Sequence, residues 1–277
     1  MSKVPITGQP AITFAEACDR GLVRDENQDS VLHAAIPLGD LLIVADGIGG
    51  YMGGAVASKM VVESFHGHLA ALPPDYAPDR AIEEAAALTN SNVIAAAVAP
   101  GSLYQHMGST MVMALVQLDP AGPRAWIGHI GDSRAYLVRD AQLHRITNDH
   151  SAVQALLNRN LITPEQALNH PDASVLTRSL GHQAEVEVDI EVVPLLVGDS
   201  LLLCSDGLWG YVPEKEIHRI VTDPTLTLET AAKALLELAL AAGGQDNIGI
   251  EMARLLDPSL AAPEKAKHHG LLDFFGL

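Results

Sequence analysis

Four aspartates at glycine-marked ends of apolar runs are where chemistry would begin in this chain. Leu41-Leu42-Ile43-Val44-Ala45-Asp46-Gly47 closes on a carboxylate and passes into Ile48-Gly49-Gly50. Leu201-Leu202-Leu203-Cys204-Ser205-Asp206-Gly207 repeats the construction, and Trp126-Ile127-Gly128-His129-Ile130-Gly131-Asp132 is a weaker copy. Gly243-Gly244-Gln245-Asp246 precedes a further apolar alternation, Ile248-Gly249-Ile250. Each aspartate taken alone is better explained as a turn or N-cap residue. Were the four to converge, their repulsion would have to be offset by a cation. Hard divalent ions with oxygen ligands suit such a set.

The elements around them must hold those carboxylates still. An unbroken run of branched residues stopped by glycines reads as a strand buried on both faces. Strands are expected at 11–18, 30–36, 111–118, 124–131, 135–139, 186–193, 200–205 and 247–255. Apolar residues at helical spacing predict helices over 55–72, 79–99 and 228–242, and another from Pro213 onward. Strand groups followed by helix pairs, twice over, favour a layered α+β sandwich with antiparallel sheets over a parallel doubly wound sheet. Residues 148–181 differ in character, holding two short helical patterns over 151–160 and 164–169. Thr163, Pro164 and Gln166 supply the capping signature of the second. The segment reads as a small helical flap beside the site. After residue 257 the chain turns polar and Ala/Pro/Lys-rich, a flexible tail ending in Leu271-Leu272-Asp273-Phe274-Phe275-Gly276-Leu277. That apolar end is expected either to pack back on its own domain or to dock a partner.

Composition narrows the function. Apolar residues make up 48 % of the 277-residue chain and aromatics only 4 %, so the core is aliphatic. A net charge of −17 argues against nucleic acid or an anionic membrane as partner. The two cysteines, Cys18 and Cys204, read as small core residues in a reducing compartment, and no run is long enough to span a bilayer. A cytoplasmic protein is expected.

Spacing excludes several chemistries. Gly47-Ile48-Gly49 has Met52 where a dinucleotide fingerprint needs its third glycine, and no phosphate-binding Gly-Lys-Ser/Thr loop occurs. Gly131-Asp132-Ser133 lacks the Asp-x-x-His partner a serine esterase would need, and there is no Gly-x-Ser-x-Gly elbow. The cysteines have no zinc-ligand spacing, and the twelve histidines are scattered.

The ordered motifs resemble the metal-dependent protein serine/threonine phosphatases of the PP2C type, in their bacterial form. The segments are Arg24-Asp25-Glu26-Asn27-Gln28-Asp29-Ser30, Val44-Ala45-Asp46-Gly47-Ile48-Gly49-Gly50, Gly108-Ser109-Thr110, Gly131-Asp132-Ser133-Arg134, Asp149-His150-Ser151, Leu176-Thr177-Arg178-Ser179-Leu180-Gly181, Ser205-Asp206-Gly207-Leu208 and Gln245-Asp246-Asn247. The resemblance implies an α-β-β-α sandwich over residues 11–256 with Mg²⁺ or Mn²⁺, two ions and a weaker third, between the sheets. It implies that Asp46 bridges two ions, that the Gly47 carbonyl binds one, and that Asp206 and Asp246 complete the other. Asp132, with Asp206, would hold the third. Asp29 would order metal-bound water and Arg24 would clamp the phosphate, as an arginine fork suits. Direct attack of that water on a phosphoserine or phosphothreonine ester is the implied reaction, reversing a serine/threonine kinase. Ile48 stands where eukaryotic members carry a histidine, which leaves the proton donor to the leaving group unassigned. A regulatory module of the same fold and a phosphatase of small metabolites are the alternatives.

Overall fold

The apolar runs are long because most of them face a core on both sides. The computed structural model describes residues 11–119, 122–168 and 170–256; the apolar peptide 271–277 lies outside them. In chain order the elements are β1 (Ile12–Asp19), β2 (Asp29–Ile36), β3 (Gly39–Ile48), α1 (Gly50–Ala70), α2 (Pro78–Val98), β4 (Gly108–Ser109), β5 (Met111–Asp119), β6 (Gly122–Ile130), β7 (Arg134–Arg139), β8 (Gln142–Arg145), α3 (Ala152–Asn158), α4 (Pro164–Leu168), β9 (Asp189–Pro194), β10 (Ser200–Cys204), α5 (Asp206–Trp209), α6 (Glu214–Val221), α7 (Leu228–Ala241) and β11 (Ile248–Leu255). One sheet runs β1-β11-β10-β7-β8 and the other β2-β3-β5-β6-β9, with β4 attached to β3. Every pairing is antiparallel.

Alternation along the strands builds three apolar layers. Leu41, Ile43 and Ala45 of β3 turn outward, into the core under α1 and α2. Leu42 and Val44 of the same strand turn inward, against Leu201, Leu203 and Ala253 of the opposite sheet. β10 is the mirror case, with Leu202 and Cys204 packed under α6 and α7. The expected α-β-β-α sandwich of two antiparallel sheets is therefore what the chain forms. Cys204 is a core residue, whereas Cys18 is exposed on the edge strand β1, and both are free.

Three elements escaped the sequence, the first being β4, two residues paired with the end of β3. β8 follows β7 through a two-residue turn, Asp140-Ala141, with both residues at positive φ, 52° and 56°. Such turns normally announce themselves as Asn-Gly or Asp-Gly, and alanine conceals this one. α5 is a single turn of helix begun by Asp206 itself, too short to show periodicity. α1 starts at Gly50, earlier than expected, because Gly49 at φ 120° turns the strand straight into the helix. The capping box of α4 is present: Gln166 N donates to Thr163 Oγ1 and Thr163 N donates to Gln166 Oε1.

One buried carboxyl is a cost of this frame. Glu251 is fully buried in β11, opposite Glu16 of β1. Burial first, then Glu16, pushes its pKa up to about 9 from an ordinary 4.5. The folded chain keeps a proton there that the unfolded chain releases, so its contribution is most favourable below about 4.5 and is lost as pH climbs toward 9. Glu251→Gln should raise stability to urea unfolding by about 1–3 kcal/mol at pH 8.5, with the gain shrinking toward pH 5. An equal effect at both values would contradict this account.

Candidate metal centre

Strands of both sheets end at one open cavity of about 960 Å³. Its lining includes Arg24, Asp46, Gly47, Asp132, Asp206 and Asp246, side chains drawn from all four motifs and the β1–β2 loop. Asp29 lies beneath them, 6 % exposed, in register with Asp46 across the β2–β3 pair.

Each carboxylate is held by its backbone. The Asp46 carbonyl accepts from Ser109 Oγ at 2.9 Å and from Thr110 N at 2.8 Å, while Asp46 N donates to Thr110 Oγ1 at 3.1 Å. The Gly108-Ser109-Thr110 motif thus serves to fix Asp46. Thr110 Oγ1 also bonds Ser133 Oγ at 2.8 Å, which ties in the Asp132 turn and leaves Ser133 fully buried, no nucleophile. A Cβ on Gly47 would fall 2.0 Å from the Gly54 carbonyl, and one on Gly207 would fall 1.8 Å from that of Asn247. Only glycine allows α1 to close over the first turn, and the Asp206 turn to close against the Asp246 segment. Arg24 Nη2 donates to Asp246 Oδ2 at 2.7 Å, so the expected phosphate clamp and an expected ligand are paired.

Asn247, the last residue of the final motif, has a role that its spacing does not announce. Its Nδ2 donates to the carbonyls of Arg20 and Glu26, and its Oδ1 accepts from Gln28 N. It is the pin that holds the Arg24 loop against the Asp246 strand. Ser205 likewise bridges two segments. Its Oγ donates to Asp29 Oδ2 at 2.6 Å and accepts from Gly249 N at 2.9 Å. A serine inside an apolar run was the available signal.

Charge is the dominant feature of the cavity. Burial, then the charges of Asp29, Asp206, Asp132 and Asp246, holds the Asp46 carboxyl well above its ordinary pKa. Burial first, with neighbouring aspartates adding to it, pushes Asp29 and Asp132 up to about 8 and Asp206 to about 6. Asp29 Oδ1 has no hydrogen-bond partner in the described structure. Four carboxyls whose ionisation is opposed by burial and by neighbouring aspartates, and a buried oxygen without a donor, fit a site made for cations. The donors are all oxygens, the preference of Mg²⁺ and Mn²⁺.

Sandwich, cavity and carboxylate set together define a two-sheet α-β-β-α fold with an acidic, oxygen-donor site at its open edge. The profile described as "Protein phosphatase 2C" matches residues 23–241, and the chain belongs to that family. It is 39 % identical over 249 residues to the serine/threonine protein phosphatase PstP of Mycobacterium tuberculosis, covering 89 % of this chain and 45 % of the relative. The chain thus spans about half the length of that relative. To the serine/threonine phosphatase stp of Listeria innocua it is 36 % identical over 236 residues, 84 % of this chain and 91 % of the relative. Among solved structures, the catalytic domain of PstP in complex with two manganese ions superposes with a TM-score of 0.77 at 36 % identity, covering 89 % of this chain and 99 % of that one. Stp1 of Staphylococcus aureus gives 0.81 at 31 % identity, with 92 % and 99 % covered.

The raised carboxyls set a sign for pH dependence. The folded apo chain retains protons that the unfolded chain releases near pH 4, so the contribution of these carboxyls to stability is fullest below about 4 and falls as pH rises through 6 to 8. Mn²⁺ or Mg²⁺ should therefore raise the thermal midpoint of EDTA-treated protein by several degrees at pH 8 and much less at pH 5. A midpoint indifferent to both ions at pH 8 would count against a metal centre.

Proposed function

We propose that this chain hydrolyses phosphoserine and phosphothreonine esters in proteins. The observation that carries the proposal is the set of mutually repelling carboxylates on one open cavity that also admits an arginine. Its relatives are named serine/threonine phosphatases, one of them solved with two manganese ions. We assign residues 11–256 to the catalytic unit and 148–181 to its flap.

Magnitudes support metal assistance. Phosphate-monoester hydrolysis needs up to ~10²¹-fold acceleration, and a general base contributes only about 10²- to 10⁴-fold. Divalent ions, when bound, activate water and neutralise phosphate charge. Asp46, the Gly47 carbonyl, Asp206 and Asp246 would hold two of them, and Asp132 with Asp206 a third. Asp29, buried beneath them with Oδ1 unpartnered, would order metal-bound water. Arg24, released from Asp246, offers its guanidinium to the phosphate oxygens. Water adds at phosphorus, the ester P–O bond breaks, and the alcohol leaves. Position 48 is isoleucine on the cavity wall, so that side chain supplies no proton to the leaving oxygen.

Partners on this reading are phosphorylated proteins, a serine/threonine kinase whose work is reversed, and a protein engaged by 271–277. Free cysteines support a cytoplasmic setting. Among the described residues no helix is long and apolar enough to cross a membrane.

The test is turnover of an aryl phosphate and of a phosphothreonine peptide with added Mn²⁺. Activity should need the ion and fall at least 10²-fold in Asp46→Asn and in Asp206→Ala. Turnover that persists in EDTA, or that favours phosphorylated metabolites over phosphopeptides, would reject the proposal.

A further inference from the structure

Away from the carboxylates, three residues scattered in sequence meet. His129, His150 and Asp189 present ligand-type atoms within 4.8 Å of one another. That spacing would suit a metal ion, but the hydrogen bonds oppose it. Gly131 N donates to His150 Nδ1 at 3.0 Å, so this nitrogen is the acceptor. The proton then sits on Nε2, which faces Asp189 Oδ2 at 3.1 Å and has no lone pair left for a cation. His129 packs against His150 with ring centroids 4.6 Å apart, and burial holds it neutral. His150 thus links Gly131 N to the Asp189 carboxylate and is no ligand for an ion.

The far end of that link is an arginine in the cavity wall. Asp189 Oδ1 accepts from Arg178 Nη1, and the same Nη1 donates to the Glu187 carbonyl at 3.2 Å. Both Nη1 hydrogens are thereby used. Glu187 Oε2 lies 3.9 Å from Nη2, too far for a hydrogen bond. The Nη2 and Nε edge, the fork that grips an anion bidentately, has no hydrogen-bond acceptor among the described residues. Arg178 lines the same cavity as Asp46 and Asp206, with its side chain 25 % exposed.

The walls of that cavity differ in sign. One presents Asp25, Glu26, Asp46, Asp132, Asp206 and Asp246. Residues 174–183, which form the flap side, include no acid at all, and Arg178 is their permanent cation. In a chain carrying −17, an acidic peptide segment finds a favourable field only beside such a local cation.

We propose that Arg178 is a specificity-determining residue that binds an acidic side chain flanking the phosphorylated residue of the substrate, and that Asp189 and His150 are the positioning residues that fix its guanidinium. The inference rests on the phosphatase reading above and adds to it a substrate class.

The test compares two phosphothreonine peptides, alike except for aspartate or alanine beside the phosphorylated residue, with the full chain and Mn²⁺. The wild type should favour the aspartate peptide by about tenfold in kcat/KM at low salt, mainly through KM, as one charge-assisted fork would give. Raising the ionic strength should shrink that ratio. Arg178→Ala should bring it close to one, and Arg178→Lys should keep part of it. Asp189→Asn and His150→Gln should each reduce the ratio while the alanine variant shows its floor. A wild type that does not distinguish the peptides, or an Arg178→Ala chain that still does, overturns the proposal; unchanged ratios in both Asp189→Asn and His150→Gln overturn the positioning roles. Should Arg178→Ala fail to fold, the wild-type salt series decides alone. Aryl phosphate turnover by the wild type reports separately on the reaction: turnover without peptide preference sinks this inference only, and no turnover sinks both.

Discussion

Repulsion among carboxylates that the fold will not let separate is the constraint on which the rest depends. Asp46 feels Asp29, Asp206, Asp132 and Asp246 at once, and burial sharpens each term. Such a cluster survives only in a frame stiff enough to resist it. The three apolar layers supply that stiffness, since a close-packed interior cannot yield by small amounts. The strain is relieved by cations, which makes loading and stability two aspects of one equilibrium.

The carboxylates come from both sheets. Asp46 and Asp29 belong to the β2–β3 pair, Asp206 and Asp246 to the ends of β10 and β11. Ser205 and Asn247 cross that divide, one to Asp29 and the other to the Arg24 loop. Any ion bound among these groups would fasten the sheets together at their open edge. Packing does the same work deeper in the molecule, where Leu42 and Val44 meet Leu201 and Leu203.

Residues 148–181 begin at a buried ion cluster. Arg134 grips Asp149 through Nε and Nη2, Arg145 adds a third bond at 2.6 Å, and the Arg134 guanidinium lies 3.4 Å over the Trp209 ring. Paired burial of this kind adds little net stability but fixes register, because any slip would strand a charge. His150 follows directly, its amide donating to the Gly131 carbonyl and its own carbonyl accepting from Thr177 N. The segment is thus anchored at the turn that carries Asp132.

What the chain reveals unaided is whatever repeats at short range. Runs such as Leu41–Ala45 and Leu201–Cys204 declare strands buried on both faces, and glycines after Asp46 and Asp206 mark where they stop. The capping box at Thr163 was equally plain, because its partners stand three residues apart. Motif order was enough to indicate the family and which aspartates to watch. It was silent on β8, whose turn lacks glycine, on the pin formed by Asn247, and on the contact of His150 with Asp189, 39 residues away. Those belong to tertiary structure alone, because hydrogen bonds between remote segments leave no periodicity along a chain, and a side chain's partner is settled only when the sheets close.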